Sequence, residues 1–159
     1  MSSTELVYFS TRRGALKSCD FNEWIEQLIV KCEEKHIRNP TFVIDNAPAH
    51  AKVENVLENH ENVEVLRLAP YSYLLNPIEL LWSSFKSNVK RELRQEMPGL
   101  LTVQRTANAS MSEQRMQTLE AIAARCISCA TGEKLMSYAN RVETYYHAAS
   151  RGDDLKEHA

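Results

Sequence analysis

The sequence predicts an α/β layer followed by helices, on three observations. Amphipathic helical stretches alternate with short β-prone runs through the first ninety or so positions, the pattern of a layered α/β fold rather than a bundle. Thr41-Phe42-Val43-Ile44 and Val63 to Leu68 are brief runs rich in β-branched and apolar residues, suited to buried strands. From residue 112 onward only helical periodicity is found. A chain of 159 residues, 43% hydrophobic and 25% charged, has enough apolar surface for a sizeable core.

Taken in order, Glu5 to Phe9 is short and β-prone, and Arg12-Arg13-Gly14 follows as a turn, which predicts a first short strand. Asp20 and Glu23 read as N-cap and N3 of a helix whose apolar face carries Phe21, Trp24, Ile25, Leu28, Ile29 and Cys32. Asn39-Pro40 stops it. Thr41 to Ile44 then forms a strand with Asp45 at its carboxyl end, the end at which open α/β sheets build their sites. A helix over about 49–58, a strand over 63–68 and a loop over 69–72 follow. Asn76-Pro77 opens the next helix as N-cap and N1, with Ile78, Leu81, Trp82, Phe85, Val89 and Leu93 on its core face and Met97-Pro98-Gly99 at its end. Residues 97–111 read as a loop or hinge after a first unit of 1–96. Residues 112–149 form a helical segment, with Met116, Leu119, Ile122, Ala123, Cys126 and Ile127 on one helix and Leu135, Tyr138, Val142 and Tyr145 on the last. Residues 150–159 read as a frayed tail.

Several function classes are excluded at this level. No apolar run approaches the length of a membrane span, and Arg12, Arg13, Asp20 and Glu23 fall where a signal peptide needs its apolar segment, so an intracellular location is the expectation. A net charge of −2 gives no overall attraction to nucleic acid, so DNA binding requires a local basic stripe or bound metal. Cys126 and Cys129 form a C-x-x-C, but no second Cys or His pair completes a zinc site. Together with Cys19 and Cys32 they read as reduced thiols.

Asp45 and Glu79 are the candidates for chemistry. Two-metal phosphoryl transfer needs carboxylates converging from separate elements on ions about 3.5–4 Å apart. Both residues sit at element ends and offer the oxygen donors that hydrated Mg²⁺ or Mn²⁺ requires. Each also has an ordinary explanation: Asp45 can open a turn, and Glu79 at N3 can close a capping box with Asn76. At about 100° per residue, Lys86 and Lys90 lie within about 20° of Glu79 on the helix, suiting a metal ligand followed by phosphate contacts or, equally, a solvated helix side. His50 is open to a role as base, metal neighbour or local helix-start partner. Tyr71 and Ser72 are placed to touch a phosphate from the loop before Asn76.

Two segments, Phe42-Val43-Ile44-Asp45-Asn46-Ala47-Pro48-Ala49-His50 and Leu68-Ala69-Pro70-Tyr71-Ser72-Tyr73-Leu74-Leu75-Asn76-Pro77-Ile78-Glu79-Leu80-Leu81-Trp82, continuing to Phe85-Lys86, carry a resemblance. With 33 residues between Asp45 and Glu79, the chain resembles the C-terminal part of a Tc1/mariner-type DDE transposase, in the group that includes IS630-like elements. The resemblance implies an RNase H-like fold, Mg²⁺-dependent (or Mn²⁺-dependent) strand cleavage and transfer, and a nuclear DNA substrate. It makes Asp45 and Glu79 the second and third catalytic carboxylates and metal ligands; Asn46, His50, Tyr71, Ser72, Lys86 and Lys90 are the expected nucleic-acid contacts beside them. The family's loop usually reads Pro-Pro-Tyr-Ser-Pro-Asp-Leu before Asn-Pro-Ile-Glu. Ala69, Tyr73 and Leu74 depart from it here, and the two lost prolines leave the loop before Glu79 less constrained.

The family's first catalytic Asp stands on the first strand of its fold, further upstream than the 44 residues preceding Asp45. Asp20, the only acid available in its place, reads more simply as a helix cap. The expectation is therefore a partial RNase H-like core lacking its first strand or strands, followed by C-terminal helices and catalytically incomplete. Its partners would be DNA and a second copy or a full-length transposase, with no small-molecule substrate and no membrane. The competing expectation is a non-catalytic remnant that binds nucleic acid or a transposase.

Overall fold

The computed structural model describes residues 1–70, 72–102, 110–153 and 155. Its elements run α1 (Ser18–Glu34), β1 (Thr41–Ile44), α2 (Val53–Leu57), β2 (Glu64–Arg67), α3 (Pro77–Thr102), α4 (Met111–Cys126) and α5 (Gly132–Ser150). Three 3-10 turns, Pro48–His50, Tyr73–Leu75 and Ile127–Cys129, sit between them. The molecule is largely helical around a small two-stranded parallel sheet.

β1 and β2 pair in register from Thr41 opposite Glu64 to Ile44 opposite Arg67. Alternation along a strand sends Phe42, Ile44 and Val65 inward, where they pack against Phe21, Ile25, Leu28, Ile29 and Cys32 of α1 and Val53 of α2. The other sheet face is bare: Val43 is 40% and Leu66 54% exposed, and the two are register partners. A second core joins the later helices, where Leu81 and Leu100 of α3, Ile122 and Cys126 of α4, and Leu135, Val142 and Tyr145 of α5 are buried. α3 packs on both α4 and α5.

Several local expectations are corrected. Glu5 to Phe9 forms no strand: Tyr8 stacks on Trp24 (ring centroids 5.4 Å), Val7 packs on the α1 core and Glu5 pairs with Lys35. Its side chains find partners while its backbone finds no sheet neighbour among the described residues. Asp20 is N3 of α1 and not its N-cap; Lys17 holds that position and donates its amide to Asp20 Oδ2 at 3.0 Å. The hydrogen bond from Arg12, with the Lys17 amide second, holds the Asp20 carboxyl below its ordinary range. α1 ends at Glu34, before Asn39-Pro40, and the helix expected over 49–58 is split into the Pro48–His50 turn and the short α2 by Lys52 at φ +65°.

α3 continues through Pro98 to Thr102 and does not stop at Met97-Pro98-Gly99. Proline removes one donor from a helix interior. Burial of Leu100 and donation by the Thr102 hydroxyl to the carbonyls of Pro98 (3.2 Å) and Gly99 (2.9 Å) favour the extra turn. Trp82, Met116 and Leu119, expected on core faces, are 37%, 39% and 37% exposed, because the packed seam of these helices runs through Leu81 and Ile122 instead. Of the loop or hinge expected over 97–111, residues 97–102 belong to α3 and Met111 to α4, residues 103–109 lie outside the described residues, and Ser110 caps α4 with its Oγ, which accepts the Glu113 amide at 3.1 Å.

Residues 1–17 carry no helix or strand and tie the two cores together. Beyond its contacts to α1, this strap places Phe9 against Phe85 of α3 (6.1 Å). Arg13 reaches both Glu113 (2.8 Å) and Glu120 (2.5 Å) of α4. The Thr4 carbonyl approaches Gly132 at the start of α5 so closely that a Cβ there would lie 2.6 Å from it.

Candidate functional site

Asp45 leaves β1 at its carboxyl end and turns the chain at once. Its Oδ1 accepts the Ala47 amide at 3.0 Å, an Asx turn, and Pro48 then starts the 3-10 turn that brings His50 back. The His50 amide closes that turn on the Ala47 carbonyl at 2.8 Å. The imidazole lies against Phe21 (centroids 4.1 Å), with Nδ1 2.6 Å from Asp45 Oδ1. Nδ1 is shut off from solvent and makes no hydrogen bond, so its approach to Asp45 is one of proximity alone. Asn46 donates its side-chain amide to the Leu68 carbonyl at 2.5 Å, joining the loop to the end of β2.

Arg67 is the residue that sequence reasoning missed. Placed opposite Ile44 at the end of β2, it donates to the His50 carbonyl (2.9 Å), reaches the Asp45 carbonyl (3.5 Å) and forks onto Glu54 of α2 (2.5 and 3.0 Å). This pairing raises the Arg67 pKa and holds the Glu54 carboxyl below its ordinary range. No local sequence signal marks Arg67, because its place opposite Ile44 exists only once β2 pairs with β1.

The second motif is built differently. Asn76 is buried and caps α3, its Oδ1 accepting the Ile78 amide at 3.3 Å, with Pro77 at N1. The amide that a capping box would give to Glu79 goes to the Tyr73 carbonyl at 3.0 Å. Glu79 is therefore exposed at N3, and its carboxylate has no hydrogen-bond or ion-pair partner among the described residues. Lys86 and Lys90, also exposed, are likewise without an ion pair among the described residues. Ser72 closes the 3-10 turn by accepting the Leu75 amide at 3.0 Å through its backbone, and Tyr71 lies outside the described residues.

The structure thus gathers Asp45, Asn46 and His50 around one turn and sets Glu79, Lys86 and Lys90 along one side of α3. Among the described residues no group of three or more His, Cys, Asp or Glu side chains could hold a metal ion. A hard divalent cation takes six or more oxygens, and Asp45 Oδ1 is already engaged by the Ala47 amide and His50, so these residues alone do not fit a two-metal centre.

A family model described as DDE superfamily endonuclease matches residues 2–98, and the chain belongs to that family. The family's domain is RNase H-like in general, transposase-like in its nuclease function, acts on DNA and generally uses a divalent metal. No curated protein and no solved structure matches the chain. α4 and α5 lie beyond the matched residues, yet the Tyr146 hydroxyl of α5 donates to the Leu75 carbonyl at 3.1 Å and so steadies the turn before Glu79. No helix among the described residues is long and apolar enough to cross a membrane.

Proposed function

We propose that the chain is the portion of a Tc1/mariner-type DDE transposase catalytic domain that carries the second and third acids, Asp45 and Glu79, on a partial RNase H-like core. Acting alone it binds DNA without cutting it. The observation that carries this is the partnerless Glu79 carboxylate at the head of a helix side continued by Lys86 and Lys90. Asp45 and Glu79 are the acids, Lys86 and Lys90 meet phosphates, and Asn46, His50 and Ser72 position the two loops, with Tyr71 as a further phosphate contact. The substrate would be nuclear DNA, and Mg²⁺ or Mn²⁺ would enter only where further donors complete the set.

The test is electrophoretic mobility shift together with nicking of supercoiled plasmid in Mg²⁺ or Mn²⁺. Binding that weakens with salt, and weakens further in Lys86→Ala/Lys90→Ala, is expected, with no nicking. Metal-dependent nicking that disappears in Glu79→Gln would overturn the inactive assignment. Absence of DNA binding would overturn the function itself.

The bare face at Val43 and Leu66 favours a partner as well, because parallel sheets are normally covered on both sides. A second copy of the chain or a full-length transposase would supply that cover. A monodisperse monomer in light scattering, with no binding to full-length transposase, would remove that role.

A further inference from the structure

We infer that the Glu79 face of α3 takes DNA with unpaired bases, with Tyr73 and Trp82 as stacking surfaces and Lys86 and Lys90 as phosphate contacts. The inference rests on the DNA-binding function proposed above. Tyr73 is 55% and Trp82 37% exposed, and they flank Glu79 in sequence, one on the 3-10 turn before α3 and one a helical turn after the acid. The backbone under Tyr73 and the ring of Trp82 are both held in place. Tyr73 belongs to a turn held by Leu75 to Ser72 (3.0 Å), Asn76 to Tyr73 (3.0 Å) and the Tyr146 hydroxyl to Leu75 (3.1 Å). Trp82 is braced edge-on by Phe85 at 5.7 Å, and Phe85 by Phe9 at 6.1 Å.

Lys86 stands four residues after Trp82 and Lys90 four after Lys86, so each is the surface neighbour of the one before. A braced indole, then two cations without ion pairs among the described residues, with a second exposed ring upstream, alternates apolar planes with positive charge. Paired bases hide their faces within the stack, whereas unpaired bases offer theirs to aromatic side chains while lysines track the backbone. The two lysines favour a polyanion over an apolar protein surface as the occupant. Glu79, between the two rings in sequence, repels phosphate directly in front of it.

The experiment is fluorescence anisotropy with a labelled oligo-dT and with a duplex of equal length, at two salt concentrations, on the full chain. Oligo-dT is expected to bind about tenfold more tightly than the duplex, and Tyr73→Ala to lose about tenfold for oligo-dT while leaving duplex affinity unchanged. In Trp24→Phe, which leaves Trp82 as the sole indole, oligo-dT is expected to quench the fluorescence. Because Trp82→Ala can disturb the Phe85 contact, Tyr73→Ala, at an open position, is the deciding variant once its thermal melt matches the parent. Equal affinities for the two DNAs, both lowered by Lys86→Ala/Lys90→Ala and neither by Tyr73→Ala, would overturn the stacking inference and leave DNA binding intact. No binding to either DNA would overturn both.

Discussion

Asp45 and Glu79 stand in opposite surroundings. The Asp45 carboxylate is part of the local structure: it accepts the Ala47 amide and faces His50, within a loop held by Asn46 and Arg67. The Glu79 carboxylate has no hydrogen-bond or ion-pair partner among the described residues, since the Asn76 cap is completed without it. An acid with structural partners can be kept for folding alone. An acid whose only internal benefit is a helix N-terminus, worth about 0.3–1 kcal/mol, is left open to a ligand.

This contrast can be broken or sharpened by measurement. The largest effect is expected in the cores beneath each acid: Leu81→Ala under α3 and Ile25→Ala under the Asp45 loop should each cost about 2–5 kcal/mol in urea unfolding. If both variants shift a single transition, the strap makes the two cores one cooperative unit; two separate transitions would mean that each acid rides on its own. Arg67→Met should cost about 1–2 kcal/mol and speed amide exchange from Ala47 to Ala51, because the His50 carbonyl and Glu54 lose their donor. Unchanged exchange there would show that Arg67 does not hold the loop.

Acid should weaken the tethers. Glu54, held low by Arg67, and Glu113 and Glu120, held low by Arg13, bind protons less readily folded than unfolded. Their contribution is complete above the unfolded carboxyl value of about 4.3 and is lost as pH falls through the lower folded values. The urea midpoint should therefore hold from pH 7 to about 5 and drop below about 4. A midpoint that rises on acidification would contradict the pairing. The smallest effects concern the acids themselves: Asp45→Ala should cost about 1 kcal/mol through its turn, and Glu79→Gln should stay within about 0.5 kcal/mol of the parent. Equal costs for the two would erase the contrast.

Much of this was legible from local pattern. β1, β2, the apolar face of α1 and the Asn76-Pro77 opening of α3 follow from side-chain period and capping chemistry, which are properties of neighbouring residues. What escaped depends on contacts distant in sequence. Glu5 to Phe9 has strand propensity, but its backbone meets no sheet neighbour among the described residues; α3 outlasts Pro98 because Leu100 is buried; Trp82 is exposed because the seam runs through Leu81. The site divided similarly, with Asp45 and Glu79 visible as motif residues. Arg67 was invisible, since its role exists only once β2 lies beside β1 and α2 folds against both. That no group of three or more His, Cys, Asp or Glu side chains among the described residues could hold a metal ion is also a property of the assembled chain.

The strap has a consequence for biosynthesis. Arg13 and Glu120 are 107 residues apart, and the Thr4 approach to Gly132 is longer still, so these closures form only after α4 and the start of α5 have left the ribosome. Until then Arg13 has no docking surface on α4, while α1 and the sheet can already assemble. Nascent chains stalled before residue 111 should therefore lose their first dozen or so residues to protease readily, and chains released past residue 132 should resist. The strap would then serve as a latch that records completion of the helical half.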